Sequence, residues 1–108
     1  MRKQKQLSTS ADKNPKKEAF DYVLRLFITG ATPNSVRAVV NIRQICEDHL
    51  KGKYSLEVID VYQQQYVAEQ EQLIALPLLI KKYPLPERRL IGDLSDTGKV
   101  LKGLGLAS

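Results

Sequence analysis

The sequence of 108 residues contains one cysteine and carries a net charge of +5. This length suffices for one domain with a single hydrophobic core. No run of about 18 apolar residues occurs, which excludes a membrane-spanning helix. No apolar stretch follows the charged N-terminus, as a secretory signal would require. Because Cys46 has no second cysteine to pair with, the sequence favours the reducing cytoplasm.

The positive charge is concentrated at the N-terminus. Residues 1–18 contain six basic and two acidic side chains, a net charge of +4. This polar composition predicts a flexible basic tail, 1–18, in front of one folded domain, 19–108. The domain itself has a net charge of only +1 and shows no aromatic platform or arginine cluster for a nucleic acid. We therefore expect no nucleic-acid partner; the tail is either a solvated extension or a contact for an acidic partner.

The first predicted strand spans residues 20–29. Only Arg25 interrupts its apolar run 23–28, a pattern typical of a strand buried on both faces of a sheet. Thr32 and Pro33 then predict the N-cap and first position of a helix. This helix continues to Leu50, with an apolar face formed by Val36, Val39, Val40, Ile42, Ile45, Cys46 and Leu50.

The remaining segments complete an α/β pattern. They predict a strand at 54–61, a short helix at 64–75, two strands at 78–80 and 88–91 joined as a hairpin, and a last helix capped by Ser95 or Asp96. The first two strands and their helix form a βαβ unit, whose strands should be parallel. The order β-α-β-α-β-β-α predicts a single domain with the thioredoxin-like fold.

Thioredoxin-like topology raises the possibility of redox catalysis. That chemistry needs a nucleophilic and a resolving thiol at the start of the first helix, where this chain has the sulfur-free segment 31–35. Cys46 lies about three turns further on, on the apolar face, where a cysteine usually serves packing. A dithiol oxidoreductase is therefore the least favoured function. Pro77 occupies the place of the fold's cis-proline, and the sequence leaves the cis and trans forms of Leu76–Pro77 equally open.

The residues predict no other catalytic, metal or cofactor site. The single His49 has no partner for a zinc site. Asp93 and Asp96 precede a helix, where capping is the first interpretation and acid–base catalysis a distant second. Adjacent Arg88 and Arg89 are able to grip an anion, but on a strand one of the two is expected to face water.

Three segments resemble the KaiB family. Residues 30–38, with the sequence Gly-Ala-Thr-Pro-Asn-Ser-Val-Arg-Ala, are similar to the family's segment after its first strand. Residues 58–61 are similar to its second strand, and 88–101, with the core Ile-Gly-Asp-Leu-Ser-Asp, are similar to its C-terminal signature. The resemblance extends from about Tyr22 to Leu106.

This resemblance implies a regulatory binding protein without enzymatic activity. KaiB proteins bind the hexameric ring of KaiC, a P-loop ATPase and autokinase. The family is known for switching between a resting dimer or tetramer with a rearranged C-terminal half and a thioredoxin-like monomer that binds KaiC. The fold-switch region implied here includes Leu76, Pro77, Gly103 and Gly105.

The resemblance also implies which residues bind the partner. Arg37 and Arg89 match family positions linked to binding, and Asn34 and Arg88 lie beside them in the same motifs. The alternative for each arginine is an ordinary surface position that contributes little.

Several positions depart from the cyanobacterial pattern. Three lysines of that pattern are absent around 39–40, 62–65 and 68–72, so affinity for an acidic ring should be weaker or differently distributed. Gly105 replaces an aspartate in the family's Gly-Leu-Asp-Leu segment. These differences predict a paralogue outside a full circadian oscillator, with a stress-response or signalling adaptor, including one for a sensor kinase, as the alternative function.

Overall fold

The chain forms its helices and strands in the predicted order. A computed structural model describes residues 20–73 and 75–107; the predicted tail, 1–18, and its boundary with the domain lie outside them. The described elements are β1 (Tyr22–Ile28), α1 (Pro33–His49), β2 (Tyr54–Asp60), α2 (Gln65–Gln70), β3 (Leu78–Tyr83), β4 (Arg88–Ile91) and α3 (Thr97–Gly103). Most ends differ from the predicted ones by one or two residues, a margin common to such boundaries.

The four strands form one mixed sheet in the spatial order β2-β1-β3-β4. β1 and β2 are parallel, as the βαβ pattern predicts. β3 runs antiparallel to both β1 and β4, which confirms the predicted hairpin. Because β1 has a neighbour on each side and is covered on both faces, its sequence is almost continuously apolar.

The core consists of one apolar cluster on each face of the sheet. On the α1 and α3 face, Leu24 and Leu26 of β1 pack with Ile42, Val100 and other buried residues. On the opposite face, Phe27 packs with Ile59, Leu78 and Ile80, and Val67 of α2 lies against them. The alternation of β1 side chains between the two clusters follows the two-residue period of a strand.

Two predicted elements have the wrong length. The second helix was expected to span 64–75, but α2 covers only Gln65–Gln70. Gln72 has a φ of 52°, a left-handed conformation that an α-helix does not tolerate. The third strand was expected to end at Ile80, but β3 continues to Tyr83. It continues because Lys81 pairs with Leu24 of β1 and with Arg88 of β4.

Candidate partner-binding surface

A cluster of hydroxyl groups fixes the start of α1 against the end of β1. Thr32 is the N-cap, and its Oγ1 accepts a hydrogen bond from the Ser35 backbone N–H at 3.4 Å. The Thr32 hydroxyl also donates to Ser35 Oγ at 2.9 Å. Ser35 is fully buried, and its Oγ accepts from the Thr29 backbone N–H at 3.1 Å. This network stabilises the helix terminus and sets the position of the next turn.

The first two turns of α1 carry two of the predicted binding residues, Asn34 and Arg37, which contact each other. The Arg37 guanidinium donates to Asn34 Oδ1, and its Nε lies 3.2 Å from Asp93 Oδ2 in the loop after β4. Asn41 Nδ2 donates to the Asp93 carbonyl at 2.8 Å. Hydrogen bonds from Ser95 and then from Arg37 lower the pKa of Asp93. The Arg37 side chain remains 54% exposed, so α1 presents an oriented and accessible guanidinium.

Beside this turn lies an open cavity of about 320 Å³, lined by Thr29, Thr32, Pro33, Asn34, Leu76 and Pro77. The predicted residues Leu76 and Pro77 thus lie next to Asn34, and the Leu76–Pro77 peptide bond is cis. The lining contains no sulfur atom. Cys46 is fully buried elsewhere, and burial raises the pKa of its thiol to about 12. The arrangement does not provide the reactive thiolate that dithiol chemistry needs.

The other two predicted binding residues, Arg88 and Arg89, lie on β4 and point to opposite faces, as consecutive strand residues do. Arg89 Nη2 donates to the Glu71 carbonyl at 2.7 Å and lies 3.5 Å from Glu71 Oε1. Arg88 is exposed and lines a different cavity that also contains Lys81. The four predicted binding residues therefore do not form one patch of direct contacts among the described residues.

Glu71 is an important residue that sequence reasoning missed. Its side chain is 11% exposed and forms ion pairs with Arg25 at 3.1 Å, Lys82 at 3.0 Å and Arg89. Three strands are thereby connected to the end of α2. Arg25 lies opposite Ile80, and Ile80 opposite Arg89, so the cations share a sheet face. The alternation of side chains along each strand indicates which cations share a face within that strand. It does not show that cations of three strands meet at Glu71, because that depends on the register between the strands.

The remaining fold-switch candidates, Gly103 and Gly105, lie at the end of α3. A Cβ at Gly103 would lie 2.7 Å from Leu90 Cδ2, so this helix end approaches β4 closely. Gly105 has a φ of 79°, which other residues rarely adopt. Gly103 therefore allows the close packing of α3 on β4, and Gly105 allows the positive φ after the helix. Their part in a fold switch stays a prediction.

The described residues, 20–73 and 75–107, contain no group of three or more His, Cys, Asp or Glu side chains placed to hold a metal ion. Within the same ranges, every helix is too short or too polar to cross a bilayer.

Comparison with known proteins identifies the family. Residues 25–106 match the sequence profile of the KaiB domain. The chain belongs to the KaiB family, whose members are non-enzymatic clock proteins. It is 52% identical over 85 residues to the circadian clock oscillator protein KaiB of Prochlorococcus marinus strain MIT 9312, covering 79% of this chain and 81% of that protein. The corresponding protein of Rippkaea orientalis is also 52% identical over 85 residues, covering 79% of this chain and 82% of its own length.

Solved structures support the fold assignment. The N-terminal domain of SasA from Synechococcus elongatus has a TM-score of 0.64 and 27% identity, covering 89% of this chain and 94% of that domain. Mitochondrial thioredoxin 3 from Saccharomyces cerevisiae has a TM-score of 0.65 over 80% of this chain and 78% of its own. Its identity is only 13%, so this likeness shows the fold alone. The KaiB domain described here thus has the thioredoxin-like fold.

Proposed function

We propose that this chain is a regulatory binding module that docks on the ring of a KaiC-like P-loop ATPase in the cytoplasm. The observation that carries the proposal is the Arg37 guanidinium, which Asp93 orients at 3.2 Å while 54% of the side chain stays exposed. An oriented arginine with free donors is suited to a carboxylate on a partner, because its forked geometry allows two parallel hydrogen bonds. Membership of the KaiB family supports this class of partner.

The residue-level test is a binding titration against the cognate KaiC-like ATPase in each nucleotide state. Replacing Arg37 by alanine should weaken the complex by about tenfold, which is a typical cost for an anchoring charge. Arg43→Ala is the matched control, since Arg43 is an exposed arginine on the same helix. Equal affinities of the wild type and Arg37→Ala for the ATPase would show that Arg37 does not contribute to binding.

A second variant separates direct contact from local loosening. Asp93→Asn weakens the ion pair that orients Arg37 but leaves the guanidinium in place. If Arg37 contacts the partner, Asp93→Asn should reduce affinity less than Arg37→Ala does. Equal losses in the two variants would instead indicate that the loop position, and not the guanidinium, matters for binding.

We also propose that the C-terminal half exchanges between the fold described here and a resting dimer or tetramer. The support is that α2 has no fully buried residue: it is held to the sheet by the partly buried Val67 and by the ion pairs of its C-cap residue, Glu71. Glu71→Gln should increase the minor state seen by exchange-based NMR and by sedimentation. A single resonance set without exchange in both proteins would contradict the proposal.

A signalling or stress-response adaptor is the second candidate function. The similarity to the SasA N-terminal domain favours a surface that both proteins could use on one target, such as a sensor kinase or the ATPase ring. If this chain and the SasA N-terminal domain compete for that target, the result would support the adaptor function as well as docking on the ATPase ring. Independent, simultaneous binding of both would count against a shared surface.

A further inference from the structure

Lys81 is a buried lysine without a counter-ion. The residue is only 5% exposed, and within 20–73 and 75–107 its ammonium has no hydrogen-bond or ion-pair partner. It follows Leu79 by two positions, so it points to the α3 face of the sheet. A buried cation normally requires a partner because desolvation of the charge is costly. Burial, and then the nearby Arg88, lower the pKa of Lys81 accordingly.

Lys81 lines a cavity that collects further positive charge, which we name the Lys81 cavity. It has a volume of about 270 Å³, and its lining residues, which include Lys81, Arg88 and Lys102, come from β1, β3, β4, the loop between β3 and β4, and the end of α3. Three of these residues are cations and none is acidic. Lys81 and Arg88 are register partners on adjacent strands, which explains why both reach the same side. In the described part of the chain, neither Arg88 nor Lys102 forms an ion pair.

The end of α3 does not supply the missing partner. The Val100 carbonyl accepts from the Leu104 N–H at 2.9 Å, and the Lys102 carbonyl accepts from the Gly105 N–H at 3.1 Å. A carbonyl oxygen can accept a second donor, but no hydrogen bond joins either carbonyl to the Lys81 ammonium within the described residues. The helix terminus adds only about half of one negative charge, against three full positive charges around the cavity.

We propose that the Lys81 cavity binds a phosphate group. A phosphate monoester carries a charge of about −1.5 to −2 near neutral pH, which matches three cations better than a carboxylate does. Its several acceptor oxygens can receive the Lys81 and Lys102 ammonium groups and a forked arginine together. Since one water occupies about 30 Å³, the volume also leaves room for a small group esterified to the phosphate. In this proposal Arg88 donates hydrogen bonds to the phosphate, whereas Arg37 donates to a carboxylate of the partner protein.

The test is an NMR titration of the full chain with inorganic phosphate at constant ionic strength, with chloride as the balancing salt. Saturable shifts centred on residues 81, 88 and 102–105 are expected, together with a rise in melting temperature. Lys81→Met should weaken binding by at least about tenfold, while Lys51→Met, at an exposed lysine outside the cavity, should not. Methionine has a similar length and no charge, so we expect that variant to fold.

Arg88→Gln and Lys102→Gln provide an independent check at exposed positions, where folding is not at risk. Each should weaken phosphate binding. Titration with O-phosphoserine distinguishes the two sources of the group: tighter binding than inorganic phosphate indicates a monoester ligand, and equal binding indicates free phosphate. Unsaturable shifts spread over the surface, or equal affinity in wild type and Lys81→Met, would overturn the proposal. Neither result depends on whether the ATPase ring binds.

Discussion

Arg37 and Asp93 are 56 residues apart in the chain, and their side chains meet at 3.2 Å. The contact joins α1 to the loop between β4 and α3. Asn41 strengthens the same connection by donating to the Asp93 carbonyl at 2.8 Å. The N-terminal part of α1 and the Gly-Asp-Leu-Ser-Asp loop, which look unrelated in the sequence, therefore form one surface.

This contact predicts a loss of stability at acid pH. Hydrogen bonds from Ser95 and then Arg37 lower the pKa of Asp93 in the folded protein, so the folded state favours the ionised carboxylate. The stabilisation is present above the unfolded pKa of about 3.9 and is lost as the pH falls through the folded pKa. Asp93→Asn should flatten the decline in unfolding free energy below about pH 4.

Urea unfolding measured between about pH 2.5 and 5 provides the check on Asp93. Asp21→Asn serves as the control, because Asp21 is exposed. A decline below about pH 4 that is equally steep in wild type and Asp93→Asn would show that this carboxylate does not contribute.

The Glu71 ion pairs predict a loss of stability when this carboxylate is removed, measured at neutral pH. Glu71→Gln leaves Arg25, Lys82 and Arg89 without their shared carboxylate. Because Glu71 is 11% exposed and its partners are about a third exposed or less, the loss should be about 2 kcal/mol, below the cost for a fully buried pair. Glu69→Gln, at an exposed position of α2 two residues before Glu71, should change the unfolding free energy by less than about 0.5 kcal/mol. Indistinguishable variants would mean that the ion pairs are energetically neutral.

The thiol of Cys46 should be unreactive in the folded protein. Full burial and a pKa raised to about 12 by that burial leave almost no thiolate at neutral pH. Labelling with a maleimide should therefore proceed at the rate of unfolding and become fast in urea. Rapid labelling of the native protein, or disulfide reductase activity lost in Cys46→Ser, would contradict this interpretation.

Alanine substitutions at three glycines test the backbone conformation and packing of α3 and its C-terminal end. Gly105→Ala should destabilise by about 1 kcal/mol, because its φ of 79° is unfavourable for alanine. Gly98→Ala should stabilise by about 0.5 to 1 kcal/mol, because Gly98 lies within α3 and its added Cβ meets nothing closer than 3.7 Å. Gly103→Ala should destabilise, since its Cβ would displace Leu90. Thermal unfolding curves measure all three, and a stabilising Gly105→Ala would indicate a different conformation at this end.

The sequence predicts the sheet and α1 well because these elements carry strong local signals. β1 is an apolar run with one interruption, and Thr32 with Pro33 marks the start of α1 unambiguously. The end of α2 could not be predicted, because Gln72 adopts a left-handed conformation without being glycine or asparagine. Nor could the extension of β3, since Lys81 becomes part of the strand only through pairing with Leu24 and Arg88.

The geometry of the candidate surface could not be predicted from the sequence. Asn34 and Arg37 follow from the resemblance of one motif, and they do lie together. The roles of Asp93 and Glu71 depend on contacts between distant segments, which local patterns do not encode. Arg88 and Arg89 are neighbours in the sequence, yet they serve opposite faces of the sheet because side chains alternate along a strand.

The most direct test of the central claim is a sedimentation or anisotropy titration of the wild-type protein with its cognate KaiC-like ATPase, carried out in each nucleotide and phosphorylation state of the ring. We expect a saturable complex in at least one of these states, weakened by Arg37→Ala and unaffected by Arg43→Ala. The absence of a complex in every state would contradict it.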